Sequence, residues 1–433
     1  MKALYIIFAI LTTLSIAIAY IVKDDYYYLP YPNAIEYLLA FLILLLTAIL
    51  ALWPAHRLRK VALGVTSAII LWVVVFGMNF LFEWHPLNLS FPFTKSQSFE
   101  VSHEPYPWPT TTPASAGYHK ADITHFLQEI ENWDRLRALV VIKDGRLFLE
   151  KYQKDATKYS AFNVHSVTKS ILSALTGLAI QEGYIPSEHD KVLRYFPEYR
   201  NGASAPAKAN ITVAHLLAMR GGFAGWDGPQ SAQQVLLQEE VSDTNTGQEF
   251  KYFTGSQMVL SAMLTKASNT TTKAFAEEKL FKPLGISCGF WRKVDGYYAG
   301  GDETYFTARD LARFGELYLN KGQVDGVQLL DSSWVAKSFT NYTAKSKAFR
   351  TLDCYQEVGY GYSWWLLEHQ GKPVYTARGK GGEYILILPE QNAVAVILQE
   401  WNLQKDFKKE NGYICELLSL LTSENTAKIA AQE

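Results

Sequence analysis

The sequence predicts an α+β domain whose sheet takes its strands from both ends of the domain. Two strand patterns, 137–143 and 146–152, are joined by Asp144-Gly145, a dipeptide typical of tight hairpin turns. Further strand patterns return only towards the C-terminus, at 359–366, 373–377 and 384–399. Helical periodicity fills the interval, and strands at both ends with helices between them are typical of this class.

Three apolar, charge-free runs occupy the first 83 residues, at 3–22, 37–53 and 61–82. A run of about 20 such residues is long enough to cross a bilayer as a transmembrane helix. A signal peptide would explain the first run but not the other two. The connection 54–60 carries three Lys or Arg residues, which places it in the cytoplasm by the positive-inside rule. We therefore predict a multi-pass protein of the inner membrane, in contact with lipid, whose chain after residue 84 lies on the periplasmic side.

Composition divides the chain into four segments. The membrane domain, 1–83, is followed by 84–118, whose six prolines predict a stiff, extended linker. The periodic part, 119–422, is predicted to be the folded domain, and the polar stretch 423–433 is predicted to be a flexible tail.

Charge, cysteine and histidine content limit the classes of function. The 41 basic and 42 acidic residues leave a net charge of −1, which offers no broad positive field for nucleic acid. The three cysteines, Cys288, Cys354 and Cys415, form no Cys-x-x-Cys pair, so we expect three buried thiols, with one disulfide as the alternative. The nine histidines show no paired metal-ligand spacing, so the sequence predicts neither a metal site nor a cofactor.

Ser166-Val-Thr-Lys169 is the most informative motif, because it opens a strongly apolar helical pattern. Apolar residues recur after it at helical spacing, at Ile171, Leu172, Leu175, Leu178 and Ala179. A three-residue spacing brings the Lys169 amine over the same helix face as the Ser166 hydroxyl. A serine hydroxyl becomes a strong nucleophile when a neighbouring base removes its proton. The alternative, a capping serine followed by a solvated lysine, is disfavoured because so apolar a helix must be buried.

Residues 162–175 resemble the first motif of the class C β-lactamase-related serine hydrolases. This family includes esterases, D-amino-acid peptidases and 6-aminohexanoate-dimer hydrolases. The resemblance covers about 120–420 and continues in order through 211–223, 282–286, 307–322 and 359–365. It implies a β-lactamase/transpeptidase-like antiparallel sheet flanked by helices, with a helical subdomain. It also implies that Ser166 forms an acyl-enzyme from an ester or amide without a cofactor, D-amino peptides and β-lactams being candidate substrates.

The resemblance assigns further site residues. Tyr252 stands where the family has a Tyr-x-Asn motif, and its phenol would relay the proton from Lys169 to the leaving group. Thr254 replaces the asparagine of the lactamases, which makes β-lactam turnover a less favoured activity. Trp364 and Trp365 point to opposite sides of a predicted strand, so one of them, with Trp365 as the candidate, walls the substrate pocket.

The glycine-rich segment 377–383 takes the place of the family's third motif, which lies beside the nucleophile. A backbone N–H there would join the Ser166 N–H as an oxyanion hole. In one register, Lys380-Gly-Gly382 is the motif and Glu383 supplies the N–H. In the other, which we prefer, Gly379 is the motif glycine and Lys380 supplies the N–H.

Two other functions stay open as alternatives. Gly285-Ile-Ser287-Cys-Gly289 matches the nucleophile elbow of α/β-hydrolases, but a helical pattern rather than a buried strand precedes it. A penicillin-binding receptor that is acylated without turnover would also use Ser166, but it would need a cytoplasmic output module. The leading hypothesis is a serine hydrolase acting outside the inner membrane, with Ser166 as nucleophile and Lys169 as proton acceptor.

Overall fold

The computed structural model describes residues 98–225, 231–242, 245–343, 346, 349–400 and 407–423, all of them within one compact unit. The three predicted membrane segments lie outside these residues. Within the described ranges, no helix is both long and apolar enough to cross a bilayer. This finding contradicts the predicted inner-membrane location, which rested on hydropathy and loop charge alone, and it gives no support to the predicted lipid contact.

The described part of the chain contains many short helices and strands and a few long ones. The strands are β1 (Phe99–Glu100), β2 (Leu136–Lys143), β3 (Arg146–Tyr152), β4 (Ser160–Asn163), β5 (Phe290–Trp291), β6 (Lys293–Val294), β7 (Tyr297–Tyr298), β8 (Thr304–Phe306), β9 (Gln323–Val324), β10 (Val327–Gln328), β11 (Gln356–Tyr360), β12 (Trp365–His369), β13 (Lys372–Arg378), β14 (Tyr384–Leu388) and β15 (Ala393–Gln399). The α-helices are α1 (Pro113–Ala116), α2 (Lys120–Glu129), α3 (Val167–Gln181), α4 (Ala205–Lys208), α5 (Val213–Leu217), α6 (Ala232–Gln238), α7 (Gly255–Ser268), α8 (Thr272–Ala276), α9 (Lys282–Leu284), α10 (Ala308–Leu319), α11 (Ser332–Ser338) and α12 (Phe407–Thr422).

The main sheet has the strand order β11-β12-β13-β14-β15-β2-β3, and all neighbouring strands in it are antiparallel. Strand β15, near the C-terminus, pairs with β2, near the start of the domain, and Val396 lies opposite Val140. This pairing confirms the predicted α+β sheet, in which strands from both ends of the domain meet. A smaller sheet, in the order β1-β4-β8-β5, holds the strand that leads into α3.

Two of the predicted strands are each divided by a turn. The chain reverses between β11 and β12 at 361–364, and between β14 and β15 at a short 3₁₀-helix, Pro389–Gln391. Tyr362 and Trp364, in the first of these turns, are as buried as strand residues. Hydropathy therefore does not reveal this turn, because its side chains enter the core instead of solvent.

Both faces of the main sheet are covered, so its central strands are apolar at successive positions. One core cluster joins alternate residues of β2 and β15, such as Val140 and Val396, to α3 and α10. The other cluster joins the intervening residues, such as Leu139 and Ile397, to α2 and α12. Helix α3 lies inside the first cluster, and every residue in Val167–Ala179 is buried. The helix that carries the Ser-x-x-Lys motif is therefore held by the core itself.

Residues 98–118, at the end of the predicted linker, pack on the domain. The N–H of Leu147 donates to the Pro109 carbonyl (2.9 Å), so this segment follows the outer edge of β3. Trp108 is buried, and its indole N–H donates to the Glu316 carboxylate (2.7 Å). Proline content indicates an extended backbone, and such a backbone can follow the edge of a sheet as well as cross solvent.

Cys354 and Cys415 form a disulfide, with their Cα atoms 5.6 Å apart. The bond ties the segment before β11 to α12, 61 residues later in the chain. Cys288 is a buried free thiol. The expectation of three thiols is therefore wrong, because cysteine spacing carries no information about which distant residues the fold brings together.

Breaking this disulfide should lower the stability of the domain, because a cross-link across such a loop restricts the unfolded chain and contributes about 2–4 kcal/mol. We expect Cys354→Ser to lower the melting temperature of the full chain, and dithiothreitol to lower that of the unmodified protein to a similar value. Cys288→Ser is the matched control and should keep the response to dithiothreitol. A melting temperature of the unmodified protein that does not respond to reductant would contradict the cross-link.

Candidate active site

Ser166 lies at the junction of a short strand and the central helix. Strand β4 ends at Asn163, and α3 begins at Val167. His165 has a φ of 46°, and its N–H donates to the Asn163 side chain (2.9 Å). Left-handed backbone is unfavourable for a residue that carries a Cβ, so the surrounding contacts must hold this turn. Ser166 is thereby placed, half-buried, at the N-cap of α3, immediately before the helical turn in which the motif predicted it.

Lys169 is 1% exposed, although lysine side chains are almost always at the protein surface. Its amine donates to the Ser166 hydroxyl oxygen (2.8 Å) and to the Gly301 carbonyl (2.6 Å). A buried amine needs such partners, because a buried polar group without them is strongly destabilising. The structure thus brings the two residues of the predicted pair within hydrogen-bond distance of each other.

The Gly300-Gly301 turn, which no motif marks in the sequence, completes the surroundings of Lys169. A Cβ on Gly300 would overlap the Gln257 carbonyl. A Cβ on Gly301 would lie 2.5 Å from the methyl group of Thr254, the N-cap of α7, and 3.4 Å from the Lys169 amine. Only glycine fits between these two helices. In the sequence, this turn is indicated only by a pair of glycines shortly before the capping box at Thr307. That pattern predicts a turn, but it does not predict that the turn contacts Lys169.

Tyr252 lies beside Lys169, with the amine 5.1 Å from the centre of its ring. The ring also stacks on Trp365 at 5.6 Å and meets Tyr360 edge-on at 6.1 Å. Within the described part of the chain, the Tyr252 hydroxyl makes no hydrogen bond. The structure therefore brings Tyr252 to the Ser166–Lys169 pair through the face of the ring and not through the phenol oxygen.

The turn 379–383, between β13 and β14, touches the nucleophile segment. A Cβ on Gly379 would lie 3.2 Å from His165 Cβ. The next residue, Lys380, is exposed, while Glu383 is fully buried with its carboxylate 4.0 Å from the His165 imidazole. The segment predicted to be the third motif is therefore adjacent to the residue that precedes the serine, with Gly379 as the point of contact.

Arg292, Asp302 and Glu303 form a buried charge cluster, and its two acidic residues directly follow Gly301 in the chain. The Arg292 guanidinium donates a hydrogen bond to Asp302 (3.0 Å) and forms an ion pair with Glu303 (2.6 Å), and all three residues are almost completely buried. Burial raises the pKa of the Glu303 carboxyl to about 8, while the charge of Arg292 opposes this shift. The charge of Lys380 lowers the pKa of Glu303, in the same direction as the charge of Arg292.

Ser287 does not lie in a nucleophile elbow. Helix α9 precedes it and ends at Leu284, and the chain after it enters strand β5. An elbow requires the opposite order, a buried strand followed by a helix. Among the residues that the structure describes, no group of three or more His, Cys, Asp or Glu side chains could hold a metal ion.

Known proteins resemble this chain in both sequence and fold. A sequence model of the Beta-lactamase family matches residues 137–418, more than half of the chain. A 6-aminohexanoate-dimer hydrolase of Paenarthrobacter ureafaciens is 23% identical over 288 residues, covering 61% of this chain and 72% of the relative. A Bacillus anthracis structure that carries the provisional name 6-aminohexanoate-dimer hydrolase has a TM-score of 0.60 at 18% identity, over 75% of this chain and 90% of the other. A D-amino acid amidase from Ochrobactrum anthropi has a TM-score of 0.54 at 15% identity, over 70% and 99%.

The structural similarities, at 18% and 15% identity, establish the fold. The family match goes further, because it spans α3, the Gly300-Gly301 turn and the turn 379–383, and so includes the contacts around Lys169 described above. The family predicted from the motifs is confirmed: the chain belongs to the β-lactamase family and is a serine hydrolase.

Proposed function

We propose that Ser166, Lys169 and Tyr252 are the nucleophile, base and proton relay of an amidase or esterase that works through an acyl-enzyme, within a hydrolase domain spanning 119–422. The observation that carries the proposal is the buried Lys169 amine, 2.8 Å from the Ser166 hydroxyl oxygen. Burying an amine costs desolvation free energy that a hydrophobic side chain in the same space would not incur. A catalytic role gives a reason for accepting that cost, because a base in contact with a serine hydroxyl makes the hydroxyl nucleophilic.

The proton follows a short path in this mechanism. Ser166 Oγ attacks the carbonyl carbon of the substrate, and its proton passes to the Lys169 amine. The Gly301 carbonyl, 2.6 Å from that amine, stabilises the positive charge as it forms. Tyr252, whose ring lies 5.1 Å from the amine, gives a proton to the leaving group, and its phenol oxygen turns towards Lys169 to be reprotonated. Water then attacks the acyl-enzyme, the same groups act in reverse, and Ser166 is restored.

We assign the oxyanion hole to the N–H groups of Ser166 and Lys380. A Cβ on Gly379 would lie 2.7 Å from the Val164 carbonyl, so Lys380 is the first residue beyond the contact with the nucleophile segment. The N–H of Gly379 donates to the Glu383 carbonyl (2.8 Å), which closes the hairpin turn. These contacts support the register in which Gly379 is the motif glycine. Two preorganised N–H groups would stabilise the negative oxygen of the tetrahedral intermediate.

We infer that the substrate is a small amide or ester. A relative is named a 6-aminohexanoate-dimer hydrolase, and a structural neighbour is named a D-amino acid amidase. Thr254 stands in the place of the lactamase asparagine and its methyl group lies against Gly301, so it offers no amide group to a β-lactam. Trp365, stacked on Tyr252, supplies an apolar wall near the nucleophile. D-amino peptides and β-lactams are secondary candidates.

Removing either member of the Ser166–Lys169 pair should stop turnover. We expect Ser166→Ala to abolish hydrolysis of 4-nitrophenyl butyrate, and Lys169→Ala to lower kcat/KM by at least about 10³-fold, because nucleophile and base act as a unit. Release of 4-nitrophenol measures both effects, and melting curves verify that the variants fold. Ser287→Ala is the matched control and should retain full activity. Near-full activity of Lys169→Ala would show that a different group is the base.

Tyr252→Phe removes the phenol oxygen and keeps the ring contacts. We expect kcat/KM to fall about 10²-fold for ethyl butyrate and to change little for 4-nitrophenyl butyrate. The two esters share one acyl group, but ethoxide needs a proton to leave and 4-nitrophenolate does not. Because kcat/KM reports acylation, an equal loss on both esters would contradict the relay role of Tyr252.

Covalent labelling distinguishes a hydrolase from a receptor. We expect a fluorophosphonate to label Ser166, and any adduct of a fluorescent penicillin to be released by hydrolysis, because the mechanism includes deacylation. Mass spectrometry of the digested protein locates each adduct. A penicillin adduct that persists in a protein without esterase or amidase activity would favour the receptor, and a fluorophosphonate adduct on Ser287 would favour the elbow.

A further inference from the structure

Arg378 is not one of the proposed catalytic residues, yet a series of contacts joins it to them. Its guanidinium carbon lies 4.1 Å from the centre of the Trp365 ring, which is the geometry of a cation–π contact. The Trp365 ring stacks on Tyr252, with 5.6 Å between the ring centres and 21° between the planes. The Tyr252 ring is in turn 5.1 Å from the Lys169 amine. Arg378 is thus connected to the proposed base through two aromatic rings.

Trp365 is held by its neighbours. Three aromatic rings meet it at steep angles: Tyr360 at 5.1 Å, Phe250 at 6.3 Å and Phe349 at 6.3 Å. Trp365 on β12 pairs with Thr376 on β13, and Arg378 is two residues further along β13. Strand alternation therefore puts Arg378 and Trp365 on the same face of the sheet. The contact between them follows from the register of two antiparallel strands.

A buried carboxylate anchors the guanidinium. The Glu357 side chain, on β11, is 1% exposed and accepts a hydrogen bond from Arg378 Nη1 (2.8 Å). The backbone N–H of Arg350 also donates to this carboxylate (3.2 Å), whereas the Arg350 side chain is 70% exposed and lies 4.0 Å from it. A carboxylate at this depth requires a close cation. Glu357 therefore restricts where the Arg378 guanidinium can lie.

We propose that Arg378, anchored by Glu357, is a positioning residue that fixes Tyr252 beside Lys169 by stacking on Trp365. This inference rests on the relay role proposed for Tyr252. The Tyr252 hydroxyl makes no hydrogen bond within the described ranges, so the orientation of its ring depends on stacking. A guanidinium is planar and covers the face of an indole, whereas the ammonium of lysine is a compact point charge. The position therefore requires arginine and not simply a positive charge.

Arg378→Lys tests the inference, because lysine keeps a charge for Glu357 but offers no flat surface to Trp365. The probes are ethyl butyrate and 4-nitrophenyl butyrate. We expect kcat/KM to fall about tenfold for the ethyl ester, equivalent to about 1.4 kcal/mol, and less than about twofold for the nitrophenyl ester. Arg350→Lys is the matched control, since the exposed Arg350 side chain also faces Glu357, and it should change neither value.

A merely structural role predicts a different pattern. General loss of packing would lower kcat/KM for both esters equally, and that outcome would overturn the inference. Glu357→Gln weakens the anchor of the guanidinium and should reproduce the selective loss, which keeps the test decisive if Arg378→Lys does not fold. In a Tyr252→Phe background, Arg378→Lys should cause no further selective loss, because the group that it positions is absent.

Tyr252→Phe separates this inference from the proposed function. If Tyr252→Phe selectively lowers kcat/KM for the ethyl ester while Arg378→Lys and Glu357→Gln do not, the positioning role is wrong and the relay role stands. If Tyr252→Phe has no selective effect, the relay role fails, and the positioning role fails with it. A shared selective loss that does not add in the double variant supports both roles.

Discussion

The burial of one amine sets the requirements that the rest of the site meets. Lys169 is 1% exposed, and an amine withdrawn from water must find polar partners inside the protein. It finds the Ser166 hydroxyl within its own helix and the Gly301 carbonyl in a distant turn. Neither partner is free to move far, because Ser166 is fixed by the start of α3 and Gly301 is confined between two helices. The pair is therefore preorganised by backbone and packing, which is what a nucleophile and its base require.

The position of α3 depends in turn on how the sheet closes. Strand β15 lies between β2 and β14, so the core around α3 includes residues from both ends of the domain. The disulfide between Cys354 and Cys415 adds a covalent tie between the β11 side of the sheet and α12, on the opposite face from α3. Helix α3 packs in one core cluster and helices α2 and α12 pack in the other, so strands of the main sheet lie between them. The packing around α3 therefore depends on the whole sheet and not only on the Ser-x-x-Lys motif.

Local patterns were sufficient to predict the parts of the site that a single element supplies. Ser166 and Lys169 are three residues apart, and helical geometry alone brings them together. Non-local contacts were not predictable in this way: the Gly301 carbonyl is 132 residues from Lys169, and Cys354 is 61 residues from Cys415. Family order selected Tyr252, but it could not show that the face of the ring approaches the amine. Hydropathy likewise gave no indication of the turn at 361–364, because its side chains are buried.

The segment before the domain also has a consequence for association between molecules. Strand β3 is the last strand of the main sheet, and an uncovered last strand offers its backbone groups to any other extended chain. The stretch around Pro109 accepts a hydrogen bond from Leu147 and seats Trp108 against the domain, so part of that border is already occupied. Strand β3 also carries the charged residues Arg146 and Lys151, and charges on an edge strand disfavour pairing with another chain. A fragment starting at residue 119 would lose this cover and become prone to edge-to-edge aggregation, even though its catalytic groups were all present.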